Sequence, residues 1–251
     1  MTYAVCDGRV PECCRDGIRK IGMSLLELKP HRPLPCSISS HTDILIFYSG
    51  NEIISSRAIK AKNQKLFHTI EAEFPHIKLR ITKQEPGCEY PTDAIFNALV
   101  VKDKIFMRQK SVAAEILHFA EEKGLSIVNV NQGYPACTVL AFGGSAITAD
   151  LGMAKALSAQ GIRTTLISTT EKISLSPHKY GFIGGCTGIL NRKIYFLGNL
   201  DAHPDCAIIK KAIAEEGYEW ESLAPSATCL FDLGRIYFFQ KSIKDNSENR
   251  Q

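Results

Sequence analysis

Apolar residues along this chain fall into short runs that arrive in pairs. Five segments share the pattern: SHTDILIFYSGNEIISS from Ser40, YPTDAIFNALVVKDKIFM from Tyr90, YPACTVLAFGGSAIT from Tyr134, GGCTGILNRKIYFLG from Gly184 and TCLFDLGRIYFF from Thr228. In each, a polar or small-residue lead-in precedes a run rich in Ile, Leu, Val and Phe, then a turn signal (SGN, KDK, GGS, NRK, LGR) and a second apolar run. That pattern predicts five β-hairpins. After four of them the apolar spacing becomes helical, in RAIKAKNQKLFHTIEAEF, KSVAAEILHFAEEKG, DLGMAKALSAQG and HPDCAIIKKAIAEEG. Asp150 and His203-Pro204 suit helix starts, and Gly124, Gly161 and Gly217 stand where left-handed C-caps belong. A further short apolar run follows each helix, namely IKLRI, LSIVNV, IRTTLIS and YEWESL. The unit is ββαβ.

The fifth hairpin has no helix after it, and the first thirty residues hold what it lacks. PECCRDGIRKIG reads as a helix ending near Gly22 and MSLLELKP as the strand after it. The anchors Asp43, Asp93, Cys137, Cys186 and Asp232 recur at intervals of 50, 44, 49 and 46 residues. The expected fold class is therefore α/β: a pseudo-fivefold, five-bladed propeller of ββαβ repeats, its last unit shared between the chain ends. Closure of this kind removes exposed sheet edges. A doubly wound sheet is the ordinary competitor, but two strands precede each helix and no GxGxxG loop or P-loop occurs. Residues 1–243 are expected to form one domain, and the aperiodic KDNSENRQ at 244–251 a disordered tail.

Composition narrows the partners. A net charge of +4, with 30 basic residues scattered among 26 acidic ones, gives no footprint for nucleic acid or an anionic membrane. No apolar run reaches bilayer length and no basic stretch leads into one, so a soluble cytoplasmic protein is expected. Nine cysteines, an odd number, point to free thiols in a reducing compartment. Cys6, Cys13 and Cys14 lack metal-ligand spacing, so neither metal nor cofactor is expected.

The strings SSHTDILIF, YPTDAIFNALVV, VNQGYPACTV, ITADLGMAKAL, KYGFIGGCTG and FLGNLDAHPDCAI resemble the DUF6873 family of bacterial proteins, described as having the guanidine-modifying-enzyme (pentein) fold. The resemblance covers roughly Met23 to Phe239 and implies that fold without implying a reaction. The wider superfamily includes arginine deiminases, dimethylarginine hydrolases and amidinotransferases, and also a non-catalytic ribosome anti-association factor.

In a propeller the first strand of each blade lines the central channel, so its leading polar residues converge. Here that set is His41, Asp43, Asp93, Cys137, Cys186 and Asp232. Attack on a guanidinium carbon needs a thiolate, carboxylates that pair with the planar cation, and a histidine to move protons. Taken cyclically, Asp232 on blade five, His41-Thr42-Asp43 on blade one and Cys137 on blade three follow the order that the resemblance implies for deiminases: carboxylate, His-x-Asp, then cysteine two blades on. GYPACT around Cys137 lacks the glycine-rich C-terminal signature of those enzymes.

The leading expectation is a Cys-His-Asp amidino hydrolase. Cys137 and His41 are its catalytic residues, Asp43, Asp93 and Asp232 bind a small cationic guanidino ligand, and Cys186 and His178 are secondary candidates. A non-catalytic binding or scaffold protein on the same ring is the alternative. Inert small-hydrophobe roles suit Cys186, Cys88 and Cys229, and turn-capping roles are open to the three aspartates.

Overall fold

The computed structural model describes residues 1 to 241, so the tail expected at 244–251 lies outside the described residues. Five three-stranded sheets account for most of the strands. Blade one uses Phe47–Ser49, Glu52–Ser56 and Lys78–Thr82; blade two Leu99–Val101, Lys104–Met107 and Ser126–Asn129; blade three Val139–Phe142, Ser145–Thr148 and Arg163–Leu166; blade four Thr187–Leu190, Lys193–Phe196 and Glu219–Ser222. In each the first two strands are antiparallel, and the third returns beside the second in parallel after a helix. A parallel return needs a crossover, which is why the helix stands where it does.

Local chemistry sets the boundaries. Asp150 caps the helix Leu151–Ala159 by accepting from Met153 N at 2.8 Å. At the NRK turn, Asn191 and Arg192 both adopt left-handed backbone (φ 49° and 60°), the type I′ geometry that suits a two-residue hairpin. The first helical stretch, continuous in sequence pattern, is two helices, Arg57–Lys62 and Gln64–Glu73. The break is at buried Asn63, whose side chain donates to Ile59 O at 2.9 Å and accepts from Lys29 N at 2.8 Å. The last helix starts at Cys206, three residues beyond the expected His203. His203 Nδ1 instead accepts from Asp205 N at 3.0 Å.

The fifth blade corrects one expectation. LGR is not a hairpin turn: Leu230–Phe231 pairs in parallel with Ile173–Ser174 in a separate two-stranded sheet. The hairpin partner of Tyr237–Gln240 is the N-terminal strand Thr2–Asp7, antiparallel with Val5 opposite Tyr237 and Thr2 opposite Gln240. The helix Glu12–Lys20 and the strand Ser24–Leu28 complete the blade as expected. The chain ends thus meet inside a hairpin, one strand earlier than the pattern suggested.

The lead-in to each first strand is a tight turn, and these five turns are knitted into a circle. Asp43 N donates to Gly234 O at 2.9 Å, Asn97 Nδ2 to Asp43 O at 3.2 Å, and Ala136 N to Asn97 Oδ1 at 2.7 Å. Gly184 then packs so closely on the Ala136 and Cys137 carbonyls that a Cβ would come within 2.4 Å of oxygen. Leu233 N and Arg235 N close the ring on Gly185 O at 3.1 and 2.9 Å. Apolar residues fill the space between neighbouring blades; Phe47 of blade one meets Phe119 of the blade-two helix edge to face at 5.1 Å. No helix among the described residues is long and apolar enough to cross a membrane.

Candidate functional site

The circle of turns forms the floor of a cavity of about 650 Å³, a volume suited to a small-molecule ligand. His41, Asp93, Cys137 and Asp232 line it, each carried by a different blade's lead-in. Asp43 lies behind Cys137: the thiol Sγ donates to Asp43 Oδ2 at 2.8 Å, and Asn97 Nδ2 reaches the sulfur at 3.4 Å. The ligating atoms of His41, Asp43 and Cys137 lie within 4.8 Å of one another. That spacing permits proton transfer with little movement, and it would also accept a metal ion. His178 lies at the rim, where Nε2 meets Ser37 Oγ at 3.1 Å across the cavity mouth. Cys186 is the candidate left out; it is fully buried, with Sγ donating to Phe182 O at 3.1 Å, and does not reach the cavity.

Burial sets the charge states. It pushes the Asp43 carboxyl up to about 6, partly offset by the Cys137 bond and the Arg235 guanidinium. Asp232 rises to about 7 from burial, with nearby Asp43 and Asp7 adding to it and the Phe182 N–H (2.8 Å) opposing it. Asp93 is raised too, although Tyr134 Oη donates to it at 2.5 Å. His41 is pushed down to about 4 by burial, against the pull of Asp7. The Cys137 thiol is held well above its usual range by burial and by the Asp43 and Asp232 carboxylates. The resting site therefore presents a neutral thiol, a neutral imidazole and a surplus of carboxyl oxygen.

Several of these groups have no partner. Both ring nitrogens of His41, Oδ1 of Asp43 and Oδ1 of Asp93 are buried without a hydrogen bond. Buried polar atoms are seldom left so, and of these His41 and Asp93 line the cavity, marking where a ligand with N–H donors would bond.

Three contributors were not singled out in the sequence. Asp7, fully buried on the N-terminal strand, lies 3.9 Å from His41 Nε2 and is itself held by Arg9 and by Ser40 Oγ at 2.6 Å. The apolar alternation of TYAVC before the turn signal DG would have marked that strand. Asn97 interrupts the apolar run AIFNALVV, and that interruption is its only signal. Tyr134, next to Pro135, is visible only through its bond to Asp93.

A ring of five ββαβ units around such a pocket is the fold of the guanidine-modifying enzymes, the pentein fold. A dimethylarginine dimethylaminohydrolase, solved as an adduct with 4-chloro-2-hydroxymethylpyridine, matches over 90% of this chain and 92% of its own at TM-score 0.57 and 14% identity. The DDAH of Pseudomonas aeruginosa, as a cysteine-to-serine mutant complexed with citrulline, gives the same coverage and identity at TM-score 0.54. An amidinotransferase of saxitoxin biosynthesis from Microseira wollei matches 92% of this chain and 93% of its own at TM-score 0.54 and 10% identity. At these identities the likeness is one of fold. No curated protein sequence matches the chain. The chain belongs to the DUF6873 family, described as a family of unknown function, whose model matches residues 5–237.

Proposed function

We propose that this protein is a cysteine-dependent hydrolase of guanidine or amidine groups. The observation that carries the reading is the convergence of the Cys137 thiol, the His41 imidazole, the unpartnered carboxyl oxygen of Asp93 and the Asp232 carboxyl on one cavity floor, with Asp43 behind the thiol. A planar cation with N–H donors satisfies those oxygens, and its charge offsets the repulsion that keeps the thiol protonated. The structural neighbours that act on guanidino compounds support the same reading.

In the proposed reaction Asp93 and Asp232 hold the cation. Cys137 passes its proton to Asp43 Oδ2, and the thiolate adds to the guanidinium carbon, forming a C–S bond. The proton moves through His41 to the leaving nitrogen, which departs as the amine and leaves a thiouronium on sulfur. His41, neutral again, removes a proton from water; the hydroxide adds to the same carbon, the C–S bond breaks, and the thiolate recovers that proton from His41. Urea leaves protonated on oxygen and gives that proton to the released amine, so the net change is guanidinium plus water to urea plus an ammonium ion. Asp7 orients His41 and stabilises its transient positive charge.

Incubation with a haloacetamidine followed by mass spectrometry tests the reading. Wild-type protein gains one amidine-sized adduct on the peptide containing Cys137, and Cys137→Ser gains none. No adduct, or an unchanged one in the variant, removes Cys137 as nucleophile. The raised thiol favours one rival, a pocket that binds the cation without reacting; it predicts guanidine binding by calorimetry with no adduct and no urea product.

A further inference from the structure

Above its polar floor the cavity changes character. Beside the polar residues it is lined by Ile38, Ile44, Leu175, Phe182 and Tyr134. At the mouth, Tyr90 and Tyr180 are 49% and 41% exposed, unusual for side chains of that size. Tyr90 is not loose. Its hydroxyl accepts from Arg108 at 2.9 Å and from Gly133 N at 3.2 Å and donates to Asn131 O at 3.2 Å, while the Arg108 guanidinium lies 5.4 Å from its ring centre. Its ring tilts against Tyr134 with centroids 5.4 Å apart. The chain thus holds a solvent-exposed aromatic face in a fixed orientation on the lining of the cavity that contains Cys137.

Among the described residues, the charged residues lining the cavity away from the floor are Glu89 and Lys179, both exposed, together with the ionisable His178, and none is an arginine. A zwitterionic α-amino-acid end, desolvated in this cavity, needs fixed charged partners on both its carboxylate and its ammonium to offset lost hydration. Two exposed, solvated side chains of opposite sign supply that poorly. An apolar substituent needs only the surface that the walls already offer.

We infer, resting on the reading above, that the substrate is a guanidine or amidine bearing an aryl or branched alkyl body, not an α-amino acid: the cation on the carboxylate floor, the body against Ile38 and Leu175, its far end stacked on Tyr90. Protection of Cys137 from haloacetamidine labelling measures this directly, because a ligand on the floor shields the sulfur. Benzylguanidine protects at a concentration at least roughly tenfold below that of methylguanidine or L-arginine, the return for burying about two methylenes' worth of apolar surface. In Leu175→Asp that advantage disappears while methylguanidine protection stays, and unchanged thermal unfolding shows that the variant is folded. Ile38→Asp gives the same loss. L-arginine protecting more strongly than benzylguanidine overturns the inference and leaves the guanidine reading standing. Labelling that no guanidine slows overturns the guanidine reading itself.

Discussion

Asp43, Asp232 and His41 are all buried at or just behind the cavity floor, and burial moves acids and bases in opposite directions. The two carboxyls, raised to about 6 and about 7, bind protons more readily in the folded chain than in the unfolded one. Their stabilising contribution is complete below the ordinary carboxylate value near 4 and is lost as pH rises through 6 and 7. His41, lowered to about 4, contributes above the ordinary imidazole value near 6.5 and loses that contribution as pH falls toward 4. Between pH of about 8 and 6.5 the carboxyls dominate, so the thermal unfolding midpoint rises on mild acidification, and Asp232→Asn weakens that rise. Parallel pH curves for the two proteins would count against buried Asp232. Activity runs the opposite way, since cation binding needs ionised carboxylates: kcat/KM climbs from pH of about 6 to 8. A metal bridging His41, Asp43 and Cys137 would make activity sensitive to a chelator; the proposed reaction is expected to survive one, and turnover before and after dialysis against EDTA checks this. Residue chemistry was readable in the sequence for Cys137, His41 and the three aspartates, because polar residues heading apolar strands stand out. It was not readable for Asp7 or Asn97, whose importance comes from contacts 33 to 54 residues away in sequence.

At the scale of elements, the lead-in turns matter more than the strands they precede. Four of the five expected anchors sit on a single helical turn: Thr42–Leu45, Thr92–Ala94, Pro135–Thr138 and Gly184–Cys186. Of these four anchors the turns bring Asp93 and Cys137 to the cavity, while Asp43 lies behind Cys137 and Cys186 is buried away from it. Hairpin pattern revealed the strands but not these turns, since four residues are too few to establish a helical period. The Gly184-Gly185 pair shows how tight the circle is. A Cβ on Gly185 would stand 1.8 Å from Asp232 Oδ1, and on Gly184 2.4 Å from Ala136 O. Gly185→Ala must displace Asp232, so guanidine protection of Cys137 weakens at least roughly tenfold, with stability lower by about 1–3 kcal/mol as for other overpacked sites. Calorimetric binding and urea unfolding separate the two effects; wild-type affinity in the variant would show that Asp232 does not hold the ligand.

For the whole molecule, the repeat was legible because each unit carries the same two changes of apolar period. The closing hairpin was not, because its strands come from opposite ends of the sequence and no local turn joins them. Thr2 lies opposite Gln240, so these two residues are near one another. A circular permutant that links them and opens the chain at the exposed Gly50-Asn51 turn is expected to fold and to retain haloacetamidine labelling of Cys137. Circular dichroism and the labelling assay check this. A chain ending before Tyr237 loses the first strand of blade five and leaves Thr2–Asp7 with an unpaired edge, so it is expected to aggregate.

That split hairpin also bears on synthesis. As the chain leaves the ribosome, blades one to four can each pair their own strands, but Thr2–Asp7 must wait for Tyr237–Gln240 to gain its antiparallel partner. Closing a loop of that length is entropically unfavourable and intrinsically late. Asp7, 3.9 Å from His41, is made well before Gly234, whose carbonyl accepts from Asp43 N at 2.9 Å. A chain that stops short of Gly234 lacks the carbonyl that accepts from Asp43 N, so it is expected to show no haloacetamidine labelling of Cys137.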